Sequence, residues 1–310
     1  MVNPETVDTS ELKVNDIIIA IMGPTGSGKS NFIDVLTEHK ERRAGATLTS
    51  CTTEIQAIRI HSSNKALGDR LVLVDTPGFD DTNKTDVEIL KMIGKWLERT
   101  YNADIKLSGI LYLHRITDNR MSGSPHRNLR MFGQLCGDQA SRNVILITTM
   151  WDNIEIEVGL RREKELREKF WKMMLKHGSI TERFDNREAS AWRIVNSILT
   201  RSDTAKDILL LQEELVELRK NLNETSAGVT LYHTLQQLIA EHKATFAQYT
   251  RESNTNNDPV LAMQLENQCQ KIQAELDKTL TDIKHLKVPI GRRFMLLFSK
   301  RSRSHSLSLV

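Results

Sequence analysis

The sequence predicts an α/β fold: a mostly parallel, doubly wound sheet followed by a helical hairpin or coiled-coil extension. Three observations predict it. Short β-branched and leucine-rich runs alternate with amphipathic helical stretches up to about residue 205. One of those runs leads directly into a glycine-rich loop. Beyond residue 205 the strand-like runs stop and leucines recur at helical spacing. Alternating strands and helices are the pattern of a parallel sheet covered on both faces. With 310 residues there is room for one such domain and a smaller second unit.

The elements follow in order. Residues 16–22 read D-I-I-I-A-I-M, a continuous apolar run that suits a strand buried on both faces. The glycine-rich loop comes next, and S-N-F-I-D-V-L then reads as a helix. Residues 53–61 set Ile55 and Ala57, then Ile58 and Ile60, two apart, as in a strand toward the sheet edge. L-V-L-V at residues 71–74 is a short buried strand. From Asn83 a helix carries Ile89, Ile93, Trp96 and Leu97 on one apolar face. Residues 109–113 and 143–147 are further buried strands, with a helix over residues 128–135 between them. A charged helix over residues 159–176 buries Leu160, Leu166, Phe170, Met173 and Met174, and a helix over residues 189–199 closes this half.

The second half changes period. Ile208, Leu211, Leu215, Leu218 and Leu222 repeat at spacings of three and four, and Leu231, Leu235, Leu238, Phe246 and Tyr249 continue less strictly. N-T-N-N-D-P at residues 254–259 breaks the pattern, which Leu265, Cys269, Ile272, Leu276, Ile283 and Leu286 resume. Two helical arms packed antiparallel around a turn explain this, and so does a plain helical extension docked on the sheet domain. The chain divides accordingly into an N-terminal tail (1–15), a nucleotide-binding domain (16–205), a helical arm (206–287) and a basic C-terminal tail (288–310).

Composition narrows the function classes. Hydrophobic residues at 39% and charged residues at 27% are ordinary for a soluble globular protein. A net charge of +3 is too small to imply nucleic acid, so none is expected as a partner. Cys51, Cys136 and Cys269 lie far apart without metal-ligand spacing, which fits a reduced, cytoplasmic compartment. No secretory signal opens the chain, and no segment approaches the roughly 20 apolar residues of a membrane helix.

The chemistry sits at strand ends. Residues 23–30 read G-P-T-G-S-G-K-S and fit G-x-x-x-x-G-K-[ST]. Glycines let backbone N–H groups converge on phosphate oxygens, and the following helix presents its positive end. Gly23, Thr25, Gly26, Ser27, Gly28, Lys29, Ser30 and Asn31 are therefore the phosphate-side candidates. Lys29 suits the β- and γ-phosphates, and the Ser30 hydroxyl suits magnesium. D-T-P-G at residues 75–78 ends the next short strand. Asp75 there can reach magnesium through water, and the Gly78 N–H can meet the γ-phosphate. Between the two motifs a run of small and hydroxylated residues offers Thr52, or else Thr49, to cap the magnesium and sense the γ-phosphate.

A third strand ends in T-T-M-W-D at residues 148–152. GTP-binding proteins carry [NT]-K-x-D at this place in the order, with the carboxylate on guanine N1 and N2. Thr149 and Asp152 match it. Met150 replaces the lysine whose stem covers the base.

This order of motifs, with D-T-P-G and an altered base motif, resembles the septin, GIMAP and chloroplast-import-receptor branch of TRAFAC-class P-loop GTPases. L-Y-L-H-R-I-T-D-N-R, residues 111–120, is similar to a segment that the import receptors carry after the same strand. R-F-D-N, residues 183–186, resembles the second base-contacting loop of GIMAP proteins, which brings in Asn186. The resemblance covers about residues 16–200. It implies a G domain that binds GTP or GDP with Mg2+. It also implies that Arg120 meets the nucleotide across a homodimer formed through the G-domain face.

Hydrolysis is the open part. Ras-like enzymes place a glutamine directly after D-x-x-G to orient water. Phe79 stands there and cannot do this, which leaves Asp80 as the candidate, with Asp81 beside it. Three readings remain: a GTPase switch with slow or dimer-dependent turnover, a nucleotide-binding scaffold without hydrolysis, and an ATP-dependent P-loop enzyme. In the tail, five apolar residues lie between basic clusters. They suit an anionic membrane surface, giving peripheral attachment, and suit equally a segment packed on the protein.

Overall fold

A computed structural model describes residues 2–38, 54–62, 67–81, 84–119, 121, 124–201, 208–255 and 259–286. Seven strands form one sheet in the order β1-β3-β4-β2-β5-β6-β7. They are β1 (Val2–Val7), β2 (Ile17–Met22), β3 (Gln56–Ser62), β4 (Leu71–Asp75), β5 (Leu107–Arg115), β6 (Val144–Thr149) and β7 (Ile180–Arg183). β4-β2-β5-β6-β7 is parallel throughout, whereas β3 and β1 join antiparallel. The mostly parallel, doubly wound sheet expected from the sequence is present.

Helices cover both faces. On one lie α1 (Lys29–Leu36) and α6 (Glu188–Leu199), whose Phe32, Ile33, Ile194 and Ile198 close on Ile19, Ile21, Leu111 and Ile145. Gly109 in the middle of β5 makes room for this, since a Cβ there would stand 2.3 Å from Ile198 Cδ1. The other face carries α3 (Ser124–Ala140), with Phe132 stacked on Tyr112 of β5 at 4.4 Å. Helix α2 (Asp86–Asn102) starts with a capping box, in which Thr85 and Glu88 exchange side-chain and backbone hydrogen bonds.

Several expectations need correcting. Residues 1–15 do not form a simple tail: Val2–Val7 pairs with β3 and makes the sheet edge, so β3 lies inside it. β7 is a parallel strand where no strand is expected, because I-T-E-R is short and polar and all four residues are only half-buried. The charged helix begins earlier, as α4 (Ile156–Glu165), and passes through one π-helical turn, Leu166–Phe170, into α5 (Lys172–Lys176). Leu160 is exposed instead of buried.

The boundary of the arm also moves. The chain forms two compact units, the first running to Lys220 and the second beginning at Asn221. The first leucines of the repeat belong to the first unit. α7 (Leu210–Gln212) buries Leu211, packs against α2 and α3, and Gln212 Nε2 donates to Leu97 O at 3.3 Å. Gly137, at φ 73, leaves the space that Leu210 fills.

The second unit is a pair of long helices, α8 (Ser226–Thr255) and α9 (Pro259–Leu286), separated at the expected break. His242 pairs with Glu275 at 3.5 Å and Thr250 meets Cys269 at 3.9 Å. Positions that climb along α8 descend along α9, so the pair is antiparallel. Leu231, Leu235, Leu265, Leu276 and Leu286 are buried in it. None of the described helices is long and apolar enough to cross a membrane.

One buried ion pair ties the edge of the sheet to its centre. Arg59 on β3 meets Asp16, just before β2, with both Nη atoms at 2.8 Å from the carboxylate oxygens. The same guanidinium donates to Asp69 O at 2.7 Å and Glu11 O at 3.1 Å. Removing one partner of such a pair strands the other charge. Arg59→Met is expected to lower the unfolding free energy by about 3–5 kcal/mol. Urea denaturation checks this, and a loss under ~1 kcal/mol would contradict it.

Candidate functional site

The sheet directs its functional residues to one end. β2, β4, β5, β6 and β7 are parallel, so the segments that leave their C-terminal ends crowd together. In open α/β sheets that crevice is where ligands bind.

The loop after β2 has the backbone its sequence requires. Gly23, Gly26 and Gly28 sit at φ 144, 76 and 92, conformations that L side chains rarely adopt. A Cβ on Gly23 would also stand 2.4 Å from Leu113 O of β5. Gly28 caps α1 in the left-handed conformation without a side-chain cap, and the positive end of that helix faces the loop. Ser27 is fully buried, and its hydroxyl has no hydrogen-bond partner among the described residues.

Lys29 lies buried along the loop it follows. Its Nζ donates to Gly23 O at 3.2 Å and Pro24 O at 3.1 Å. Burial pushes its pKa down to about 8, against the pull of Asp75 and Asp81, with Arg115 adding to the depression. With two carbonyls and, among the described residues, no anion bonded to it, this ammonium is suited to phosphate.

Ser30 and Asp75 meet across the crevice. Ser30 Oγ donates to Asp75 Oδ2 at 2.8 Å, and Asp75 itself is buried at the end of β4. A hydroxyl and a carboxylate at this spacing form a hard-oxygen pair that fits magnesium, which takes one or two protein oxygens besides phosphate and water. Thr76 Oγ1 donates to Ile21 O at 2.8 Å and holds the two strand ends together.

The D-T-P-G segment is bonded to the phosphate loop. Thr25 N donates to Phe79 O at 2.8 Å, and Thr25 Oγ1 to Gly78 O at 3.2 Å. Gly78 is required by contact: a Cβ there would lie 2.5 Å from Thr25 N. Phe79 is buried. Asp80 sits at φ 62, is exposed, and its N–H donates to Asp86 at the start of α2. Asp81 is the acid that reaches the loop, 3.4 Å from Thr25 Oγ1.

The base side is assembled from β6 and β7. Thr149 Oγ1 donates to Ser27 O at 2.9 Å, which fastens β6 to the phosphate loop. Met150 takes φ 62, and Trp151–Asn153 then form a single 3-10 turn that leaves Asp152 exposed. The exposed carboxylate is free of burial cost and open to a base. Asn31 Nδ2 donates to Asn186 Oδ1 at 2.8 Å, so α1 and the loop after β7 meet.

Thr52, Thr49 and Arg120 lie outside the described residues, as do residues 288–310. Other residues join the site without having been singled out. Trp151 donates from Nε1 to Thr148 Oγ1 at 3.0 Å and carries the Arg183 guanidinium over its ring at 4.4 Å. Glu163 pairs with that arginine. Arg115, at the end of β5, brings Nη1 to within 3.1 Å of where a Gly26 Cβ would be. The available signal was an arginine ending a buried strand beside the loop.

Residues 18–149 match the family model described as "50S ribosome-binding GTPase". A curated protein of Acholeplasma laidlawii, "Probable GTP-binding protein EngB", is 24% identical over 151 residues, covering 49% of this chain and 72% of that protein. Among solved structures, Toc33 from Arabidopsis thaliana in complex with GDP and Mg2+ is 15% identical, covers 63% of this chain and 87% of its own, and has a TM-score of 0.47. Translation elongation factor SelB from Methanococcus maripaludis, with a GTP analogue, is 16% identical, covers 63% of this chain and 35% of its own, and has a TM-score of 0.41.

The buried lysine gives a pH dependence whose sign is fixed. Its charged form is the one that attracts a polyanion, and that form is lost as pH rises through about 8. Affinity for a polyphosphate such as pyrophosphate is expected to hold below pH 7. Above pH 8 it should weaken, by up to about tenfold per pH unit. Calorimetric titration across pH 6.5–9.5 checks this. Lys29→Met should bind weakly at every pH, and a wild-type advantage over Lys29→Met that grows as pH rises past 8 would contradict the assignment.

Proposed function

We propose that this chain is a switch that binds GTP or GDP with magnesium and hydrolyses GTP slowly on its own, a reading supported by the match of residues 18–149 to a GTPase family model. The observation that carries the reading is the Ser30–Asp75 contact at 2.8 Å. It sets a hydroxyl and a carboxylate beside the loop where a Mg2+–triphosphate would sit. Ser30 and Asp75 would hold the metal, which neutralises charge on the β- and γ-phosphates when bound. Lys29 and the N–H groups opening α1 take the phosphates. Asp152 reads guanine, and Thr149 and Asn186 hold the two base loops in place. The curated relative is named a GTP-binding protein, and the matching family model describes a GTPase. Those names agree with guanine over adenine.

Slow turnover follows from the segment after D-T-P-G. Phe79 is buried and Asp80 faces solvent, so only Asp81 among its described side chains approaches the phosphate loop. This keeps the scaffold reading as the second one. The finer expectations fall on residues outside those described: Thr52 over magnesium, Arg120 meeting the nucleotide of a second copy, and residues 288–310 meeting an anionic lipid surface. Turnover against protein concentration for wild type and Arg120→Ala tests the dimer, and vesicle flotation without residues 288–310 tests the tail.

Competition against a fluorescent GDP analogue tests the main reading. GTP is expected to compete at least about a hundredfold better than ATP. Asp152→Ala should weaken GTP by about ten- to a hundredfold and leave ATP where it was. Equal competition by the two nucleotides in wild type would sink the guanine assignment. Phosphate release is expected below about 0.01 per second. Release that stays at the buffer blank, with tight GTP binding intact, would favour the scaffold.

A further inference from the structure

The base motif lacks its usual cation, and a cation from another strand lies beside it. T-T-M-W-D places Met150 where a lysine would give both an apolar stem and a positive charge. Methionine keeps the stem and has no charge. Arg115 ends β5 and pairs in register with Thr149, the residue before Met150. Ile116 N donates to Thr149 O at 3.0 Å, so the two strand ends are locked together.

From that position the Arg115 side chain runs to the phosphate loop, where Nη1 lies against Gly26. Its Nε pairs with Asp118 at 3.0 Å, and the Asp118 N–H donates back to Arg115 O at 3.2 Å. These contacts fix the stem. They leave Nη1 and Nη2 with no hydrogen-bond partner among the described residues. A guanidinium has five donors in a planar fork, and here most of them lie idle beside a loop built for phosphate. The side chain is 35% exposed, enough for a ligand to reach it. The Lys29 ammonium feels the same charge, so two cations flank one loop. That arrangement favours an anion between them.

We propose that Arg115 supplies from the neighbouring strand the positive charge that Met150 withholds, and that its Nη groups bind a phosphate of the guanine nucleotide beside Gly26. This rests on the nucleotide reading above. It assigns a binding residue that the motif order does not contain. The rival role is a staple that only shapes the loop after β5 through Asp118.

The two roles separate by charge rescue. Titration with a fluorescent GDP analogue compares wild type, Arg115→Met and the double variant Arg115→Met/Met150→Lys. Methionine at 115 keeps most of the stem volume, and thermal melts check the fold of each variant. Arg115→Met is expected to weaken GDP by about ten- to a hundredfold, the range for a lost charge-assisted hydrogen bond. Lysine at 150 should recover at least about tenfold of that loss. The wild-type affinity should also fall more steeply with salt than that of Arg115→Met. Unchanged GDP binding by a folded Arg115→Met overturns the assignment. So does a loss that lysine at 150 leaves untouched, because a staple is not replaced by charge on another strand. If Arg115→Met does not fold, Asp118→Asn removes the staple and keeps the cation; a loss of GDP binding as large as ten- to a hundredfold there would overturn the proposal. Wild type that binds no GDP at all removes the nucleotide reading itself, which distinguishes the two failures.

Discussion

The phosphate loop cannot hold its own shape, because the residues that let phosphate approach are those with least conformational preference. Gly23, Gly26 and Gly28 occupy positive φ, and each would be as stable elsewhere. The loop is therefore held from outside. Phe79 O takes the N–H of Thr25, Thr149 Oγ1 donates to Ser27 O, and Lys29 folds back onto the carbonyls of Gly23 and Pro24. Four hydrogen bonds from three groups, one of them the loop's own Lys29, hold a segment of eight residues. Each also carries information. The first comes from the segment after β4, the second from the base side, the third from the group that meets phosphate.

The strand order serves the same constraint. β2 lies between β4 and β5 and runs parallel to both. Their C-terminal ends thus reach one edge of the sheet together. An antiparallel neighbour would have carried Asp75 or Arg115 to the opposite edge. The antiparallel pair β1 and β3 is confined to one side, where it extends the sheet without entering the site. The Arg59–Asp16 pair holds that extension at the far end of β2, away from the phosphates.

What could be read from the sequence follows the same logic. Buried parallel strands are continuous apolar runs, so β2, β4, β5 and β6 are visible as local patterns. β1 contains Pro4 and Glu5, and β7 reads I-T-E-R, so both are strands through pairing and not through composition. Leucine spacing shows that residues 208–222 are helix-like but not what they pack on, and Leu211 turns out to belong to the sheet domain. At the site, Lys29, Ser30 and Asp75 are legible because their motifs sit next to strands in a fixed order. Arg115 is not, because its place depends on β5 being in register with β6. Which of two adjacent acids faces the loop was equally hidden. It is decided by the left-handed backbone at Asp80, a property of the turn and not of either carboxylate.

Phe79 and Met150 are both departures from a Ras-like pattern, and they act differently. Met150 leaves the base motif without a charge, and the cation nearest to it in the sheet register is Arg115, opposite Thr149 on β5. Phe79 removes a water-orienting group and adds an anchor: its ring is buried, and its carbonyl is the one that holds Thr25. Exposing a buried phenylalanine costs about 1.5–3 kcal/mol, more than a typical neutral hydrogen bond returns. The segment is therefore anchored at residue 79, and at Asp80 the backbone turns left-handed and the side chain is exposed. A sensor of the γ-phosphate on this side has to work through Gly78 and Thr25, which are held. Any movement it produces has to appear beyond Phe79, at the start of α2. Rapid hydrolysis asks for a polar group placed at the anchor itself, and this chain has used that position for packing.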